Sequence, residues 1–298
     1  MQRMPFILAS VFLAASVASA QTPASSSASS SVPAAVHSQA DCSGFIAKTA
    51  LPRDLVVTGG GDNSERSVVR EFVEGDTIFV AQQKGTSTAV GAEYNVVRPA
   101  NELFRTVHYT GQRSDIRKSG IPYENVGRVR VIPQNSGRVV GQVESSSGNV
   151  MITHAGMTLI LAEVTFSCAS ISQGDILVPF QPSAIPEYTV SKPLDPFAPL
   201  DSSKLKGRIT ASHDNYGFLG AEMVVYLNLG KTQGVKPGQR FRIYKALPPH
   251  PTGWLTIQPV PPETIGEAVV LSVQSNSCTA MVVSSYRQIS AGDHVEAE

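Results

Sequence analysis

The run Ile171-Ser172-Gln173-Gly174-Asp175 returns as Ile289-Ser290-Ala291-Gly292-Asp293. Ala162-Glu163-Val164 leads into the first and Ala280-Met281-Val282 into the second, at a constant offset. A Gly-Asp pair between two apolar stretches is turn chemistry. Glycine accepts positive φ without strain, and aspartate bonds to nearby backbone. Upstream, Gly75 to Val80, a turn, and Val90 to Val97 are echoed by Glu222 to Leu227, the turn Gly230 to Gly238, and Gln239 to Tyr244. Val126 to Val131 is echoed by Ile265 to Val270. Each piece alternates apolar and polar with the period of a strand. A β-module present twice accounts for all of this.

Short strands joined by tight turns close into a small barrel, because closure removes the exposed sheet edges. The fold expected is therefore all-β, with two tandem barrel-like modules. The chain's 24 Gly and 20 Pro leave little room for long helices. The first module spans 41–182, with an extra hairpin-like insertion at about 137–156. The second spans 207–298. A Pro-rich linker at 183–206 joins them as an extended connector. Ile78 and Val80 are expected to face the first core, and Val224 and Tyr226 the second. A one-residue slip would turn either pair outward.

The first twenty residues read as a signal peptide. Arg3 is followed by the apolar run Pro5 to Val17, too short for a bilayer anchor, which needs about 20 residues. Ala18-Ser19-Ala20 is a small-residue cleavage site, so the mature chain is expected to begin at Gln21 and to be periplasmic or secreted. Residues 21–40, rich in Ser, Ala and Pro, read as a disordered tether. No later stretch is long and apolar enough to suggest a transmembrane anchor.

Export makes disulfides permissible. Of the three cysteines, Cys42 and Cys168 lie in polar surroundings at the two ends of the first module and are the expected pair. Cys278 lies in an alternating strand and reads as a small buried residue. Neither a CxxC nor a His at ligand spacing accompanies any of them, so neither metal nor cofactor is expected. Lys+Arg and Asp+Glu balance at 24 each. No basic stripe is present, which argues against nucleic acid as a partner.

The strand-and-turn pattern resembles the C-terminal domain of the flagellar assembly protein T family. It also resembles exported proteins of acidobacteria and proteobacteria that repeat this module, some with LysM modules. In the second half the residues carrying it are Val225 to Gly230, Gly234 to Gly238, Phe241 to Tyr244, Ile265 to Val270 and Ile289 to Val295. In the first half they are Gly75-Asp76, Val90-Gly91, Gly127 to Val131 and Gly174 to Phe180. The resemblance implies a β-module of the cell envelope and names no reaction.

Fragments that imitate catalytic motifs fail on context. Gly230-Lys231-Thr232 lacks the earlier glycine of a phosphate loop, since position 225 is Val. It reads as a strand-connecting turn. Gly59-Gly60-Gly61-Asp62 reads as a flexible loop. Ser203-Lys204-Leu205-Lys206, Ser147-Gly148-Asn149 and Lys118-Ser119-Gly120 run in the wrong order for a penicillin-binding enzyme. His108, His154, His213 and His294 each read as isolated, and Asp175 and Asp293 as duplicated turn residues. Trp254, in the Pro-rich loop Lys245 to Thr264, is the best candidate contact residue. Tyr109 and Tyr123 are further candidates, although packing inside a small barrel is the plainer reading of such aromatics. The expected function is a non-enzymatic envelope protein, structural or adaptor, binding a protein or cell-wall partner. An envelope glycan hydrolase or peptidase and a polysaccharide or small-ligand binder are the alternatives.

Overall fold

The computed structural model describes residues 31–60, 71–83, 85–100, 120–133, 158–182, 184–190, 194–213, 216–246 and 261–298. The chain opens with β1 (Ser31–Pro33), the short helix α1 (His37–Cys42) and β2 (Phe45–Ala47). Then come β3 (Leu55–Gly60), β4 (Glu71–Phe72), β5 (Thr77–Gln82), β6 (Glu93–Pro99), β7 (Ile121–Ile132), β8 (Thr158–Ser167), β9 (Ile171–Ser172) and β10 (Ile176–Pro179). The connector carries β11 (Glu187–Thr189). Last come β12 (Lys206–Ser212), β13 (Val224–Leu227), β14 (Arg240–Lys245), β15 (Glu263–Val273), β16 (Cys278–Ser285) and β17 (His294–Ala297).

The chain is all-β with two tandem barrels. The first runs β3-β5-β8-β7-β6-β10, closed by the β10–β3 pairing, with β2 added outside on β7. The second runs β12-β13-β16-β15-β14-β17 and closes through β12–β17. Strand for strand the circular order is the same, and neighbours are antiparallel throughout.

The duplicated corners match in detail. Gly174 (φ 97°) donates its N–H to Val57 O at 2.8 Å, and Gly292 (φ 100°) donates to Ile209 O at 2.7 Å. The Asp175 carboxylate accepts from Ser172 N at 2.7 Å, and that of Asp293 from Ser290 N at 2.8 Å. Between the second and third strands of each barrel, Gly91 donates to Val131 O and Gly238 to Val270 O, both at 2.8 Å. Gly127 and Gly266 sit at one further shared position. A Cβ there would meet a carbonyl oxygen of the next strand, Phe166 O at 2.5 Å or Ser284 O at 2.6 Å. Both sites therefore require glycine for close approach. The insertion at 137–156 lies outside the described residues.

Each barrel has its own apolar core. Ile78, Val80, Val96, Val129, Val164 and Ile171 fill the first, as expected for Ile78 and Val80. The second is built on Val225, Leu227, Phe241, Ile243, Val270 and Ile289. Val224 and Tyr226 are thus one residue out of phase with expectation. They lie on the outer wall of the second barrel, buried against the N-terminal segment. All four residues of β13 are buried, so the strand shows no alternation that could reveal its phase.

Two further expectations are corrected. Residues 31–40 are not a free tether. β1 pairs with β11, Ala34 N–H donates to Pro186 O at 2.9 Å, and Ala34 and Ala35 pack on Val224, Val269, Leu271 and Met281. The connector, expected to be extended, touches the second barrel, with Thr264 N–H donating to Pro196 O at 2.7 Å. Gly59 and Gly60 belong to β3, where the bare Gly60 backbone takes the ring of Phe72.

Candidate functional site

A segment of chain lies between the two barrels and bonds to both. After α1, residues 43–47 run between them. β2 adds to β7 of the first barrel, with Phe45 opposite Tyr123 and Ala47 opposite Ile121. Its other side faces the second barrel, whose side chains take up its carbonyls. Tyr226 Oη–H donates to Ser43 O at 2.9 Å, Thr279 Oγ1–H to Gly44 O at 3.1 Å, and Ser277 Oγ–H to Ile46 O at 3.0 Å. Ile46 packs with Tyr226, Ala211 and Ala100. Gly44 has φ 62°, and a Cβ there would lie 2.5 Å from Tyr123 O and 2.8 Å from Tyr226 Oη. Only glycine fits a left-handed turn squeezed between two backbones.

Behind this seam, α1 lies on the outer wall of the first barrel. Arg128 pairs with Asp41 at 2.8 Å, its guanidinium 3.6 Å above the ring of Phe180. Asn125 Nδ2–H donates to Asp41 O. Cys42 is bonded to Cys168, their Cα atoms 5.6 Å apart. This is the expected pair. Cys278 is buried, and burial pushes its thiol up to about 12.

The second barrel carries its own strap. Connector residues 195–201 cross the outer wall of β14 and β17. Arg242 donates to Ala198 O at 3.2 Å and Pro199 O at 3.0 Å, and its guanidinium lies 2.5 Å from the Glu296 carboxylate. Asp201 N–H donates to Glu296 Oε1 at 3.0 Å. Both charged side chains are almost completely buried, at 4% and 1% exposure.

The aspartate corners differ in one respect. Arg98 grips Asp175 with two bonds, at 2.8 and 2.7 Å, and also donates to Ser170 O at 2.9 Å. The Asp175 hydrogen bond holds Arg98 more firmly protonated than usual. In the second barrel the same place is taken by Lys245, 3.7 Å from Asp293 and donating to Gln288 O at 2.9 Å. Burial raises the Asp293 carboxyl above its ordinary range. Both corners use their charges on the barrel's own backbone, the structural role expected of duplicated turn residues.

Tyr123 is not a contact residue. It is 3% exposed, stacks on Phe45 at 5.8 Å, and its hydroxyl accepts from Leu51 N–H at 3.0 Å. Its ring packs with Val97, Ile176 and Phe45 in an apolar cluster of the first module. Tyr109 and Trp254 lie outside the described residues, as do His108 and His154. His213 Nδ1 lies 3.2 Å from Tyr226 Oη, and His294 stacks on Tyr244 at 5.3 Å. Lys231 to Gln233 form a single 3-10 turn, the strand-connecting turn expected. Ser203 is bonded to Asp201, its backbone N–H and its hydroxyl both donating to Oδ1. Among the described residues, no group of His, Cys, Asp and Glu is arranged to hold a metal. A shallow cleft lies over the seam between α1, residues 184–186 and Leu271-Ser272.

The exposed aromatics lie elsewhere, and sequence reasoning missed them. The alternating strand directions place the β12–β13 and β16–β17 connections at one end of the second barrel. The first presents Tyr216, 58% exposed, and Phe218, 70% exposed. The second presents Tyr286, 47% exposed. Leu219 bridges to Ile289 and is buried in the core, which pins the loop directly behind Phe218. Tyr286 is steadied by Glu267, which accepts from its hydroxyl at 2.9 Å. The only sequence signal was Tyr-Gly-Phe ahead of a buried leucine. No protein-family model matches the chain, and no curated protein matches it.

Proposed function

We propose that this chain is an exported, non-enzymatic protein of the cell envelope, an adaptor that holds an envelope protein at the loop end of its second barrel. The observation that carries the reading is the display of Tyr216 and Phe218 on a loop anchored by Leu219. Large exposed aromatics on a pinned loop suit recognition, since they supply contact area at small entropic cost. Three other features support it. The first twenty residues have the pattern of a cleaved signal. The Cys42–Cys168 bond suits an oxidising compartment. The strand-and-turn pattern resembles the envelope module of the flagellar assembly protein T family.

The test uses the mature chain and a Tyr216→Ser/Phe218→Ser variant. Each is cross-linked to detergent-solubilised envelope protein and, separately, incubated with purified sacculi. The adaptor reading expects a discrete cross-linked product with wild type and its loss in the variant. An unchanged product in the variant would overturn the assignment of this surface. Retention on sacculi that depends on the same two residues would favour the polysaccharide-binding alternative, because sugar rings stack on such faces.

A further inference from the structure

We propose that this chain assembles head to tail with further copies of itself, the strap on one copy's second barrel docking against the β5–β8 wall of the next copy's first barrel. The contact is already made once inside the chain. There, residues 43–47 belong to the first module and receive the outer wall of β13 and β16. That wall donates three hydroxyls, from Tyr226, Thr279 and Ser277, to Ser43 O, Gly44 O and Ile46 O. The duplication supplies both halves of this contact a second time. Val57 and Ile209 mark one position of the repeat, since their N–H groups donate to Asp175 O and Asp293 O, each at 2.9 Å. Counted back equally from these two, Ser43, Gly44 and Ile46 fall on Asp195, Pro196 and Ala198. Gly75 and Glu222 mark another position, and counted forward from it Phe79 falls on Tyr226. The ladders agree, with Tyr226 opposite Thr279 and Phe79 opposite Leu161. Leu159 is then the counterpart of Ser277.

The two sides of the contact have changed together. In the strap, the counterpart carbonyls are already taken within the second barrel. Asp195 O accepts from Thr264 Oγ1–H at 3.3 Å, Pro196 O from Thr264 N–H at 2.7 Å, and Ala198 O from Arg242 at 3.2 Å. Burying a carbonyl without a partner is costly. A wall that covers residues 43–46 therefore has to offer donors, and a wall that covers the strap does not. On the β5–β8 wall the three hydroxyls are replaced by Phe79, Leu161 and Leu159, which have no donor. Ile78, Val80, Ala162 and Val164 face the core, so strand alternation puts these three on the outer face, where they are half-buried. On the other side of the contact, the strap leaves Phe197 51% and Leu200 37% exposed. Hydroxyl against carbonyl in the internal contact becomes apolar against apolar in the external one. The two faces lie on different barrels, so the contact is heterologous, and each copy that joins presents a fresh strap to the next. It uses neither Tyr216 nor Phe218 and stands apart from the proposed function.

Analytical sedimentation of the purified mature chain tests the assembly. The weight-average mass of wild type is expected to rise at least about twofold between about 1 µM and about 200 µM. Phe79→Arg disables the wall and Phe197→Arg the strap, and each variant alone is expected to keep the mass of one chain. Mixed in equal amounts, they are expected to form a pair of one chain of each kind and nothing larger, since one intact strap then meets one intact wall. Leu161→Lys takes the place of Phe79→Arg if that variant melts below wild type. Tyr216→Ser/Phe218→Ser is expected to assemble as wild type does. A wild-type chain that keeps the mass of one chain throughout would overturn the proposal. So would variants that do not pair on mixing, because a heterologous contact has to complement in this way. Assembly abolished by Tyr216→Ser/Phe218→Ser would put the self-contact at the loop end and overturn the assignment to strap and wall.

Discussion

Glu222 stands where the first barrel has Gly75. The Gly75 N–H donates to Val164 O at 2.9 Å, and the Glu222 N–H donates to Val282 O at 2.7 Å, each at the entry to the second strand of its barrel. Both residues have positive φ, 92° for the glycine and 67° for the glutamate. Glu222 is the only non-glycine residue in that region among those described.

A left-handed conformation costs a side-chain-bearing residue on the order of 1 kcal/mol. Glu222→Gly removes that strain and gives back part of the gain, because glycine frees the unfolded chain. A net stabilisation of roughly 0.5 kcal/mol is expected, read as a higher denaturant midpoint with an unchanged slope. Gly75→Glu, the reverse exchange in the first barrel, is expected to lower the midpoint. A lower midpoint for Glu222→Gly would show that the glutamate side chain earns its place through contacts.

The duplication was legible because turns repeat residue types. Ile-Ser-x-Gly-Asp marks a corner whose Gly must take positive φ and whose Asp must accept from the Ser N–H, so both copies keep the letters. The phase of β13 was not legible. Val224, Val225, Tyr226 and Leu227 are all large and apolar because both faces of that strand are covered, one by the core and one by residues 34–46. The burial of Ala34 and Ala35 was hidden for the complementary reason. Small residues in a Ser/Ala/Pro stretch have little to bury by themselves, and their site is supplied by a wall that ends more than two hundred residues later. The disulfide was legible from compartment and position, whereas Tyr216 and Phe218 are ordinary aromatics until the fold leaves them outside.

The two aspartate corners should differ in cost. Arg98 makes a bidentate pair with Asp175, whose side chain is only 4% exposed. Arg98→Ala removes charged hydrogen bonds from a buried carboxylate and is expected to cost about 2–3 kcal/mol. Lys245 is 37% exposed and touches Asp293 at 3.7 Å, a looser contact. Lys245→Ala is expected to cost under about 1 kcal/mol. Denaturant unfolding of the two variants checks the order, and equal losses would sink the argument.

His294 predicts an acid-side weakness. Burial, aided by Arg208 directly across the ladder, lowers its pKa from the usual value of 6.5. The unfolded chain therefore takes up this proton at a higher pH than the folded chain does. Stability is whole above about 6.5 and is lost as the pH falls from there through the folded value. His294→Gln, which cannot charge, is expected to flatten the fall in melting temperature between pH 7 and pH 5. Tyr244 stacks on the ring and Asp293 precedes it, so the control is Asp293→Asn. That substitution should leave the His-linked slope in place. A profile for His294→Gln parallel to wild type would exclude the histidine as its source.

The strap over the second barrel gives the most demanding test, because it rests on a buried ion pair. Arg242 and Glu296 are 2.5 Å apart and nearly inaccessible, the backbone of residues 198–201 bonds to both, and Lys206 lies 3.6 Å from Glu296. Such a pair need not stabilise the fold relative to apolar residues of the same size, since removing two charges from water is costly. Breaking it by halves is another matter. Glu296→Ala leaves the Arg242 guanidinium buried with two carbonyls and the more distant Glu298 at 3.9 Å. A loss of about 3–5 kcal/mol is expected. Arg242→Met/Glu296→Leu removes both charges and leaves apolar volume, so it should recover most of that loss. The price of the recovery is the strap, because neither Met nor Leu can bond to Ala198 O, Pro199 O or Asp201 N–H. The double variant is therefore expected to fold with near-native stability and yet be cut by protease within residues 195–201, where wild type resists. If both variants unfold equally easily, the pair is required for the barrel itself. If the double variant resists protease as wild type does, the connector is held by its other bonds, such as Thr264 to Pro196, and the ion pair does not fasten it.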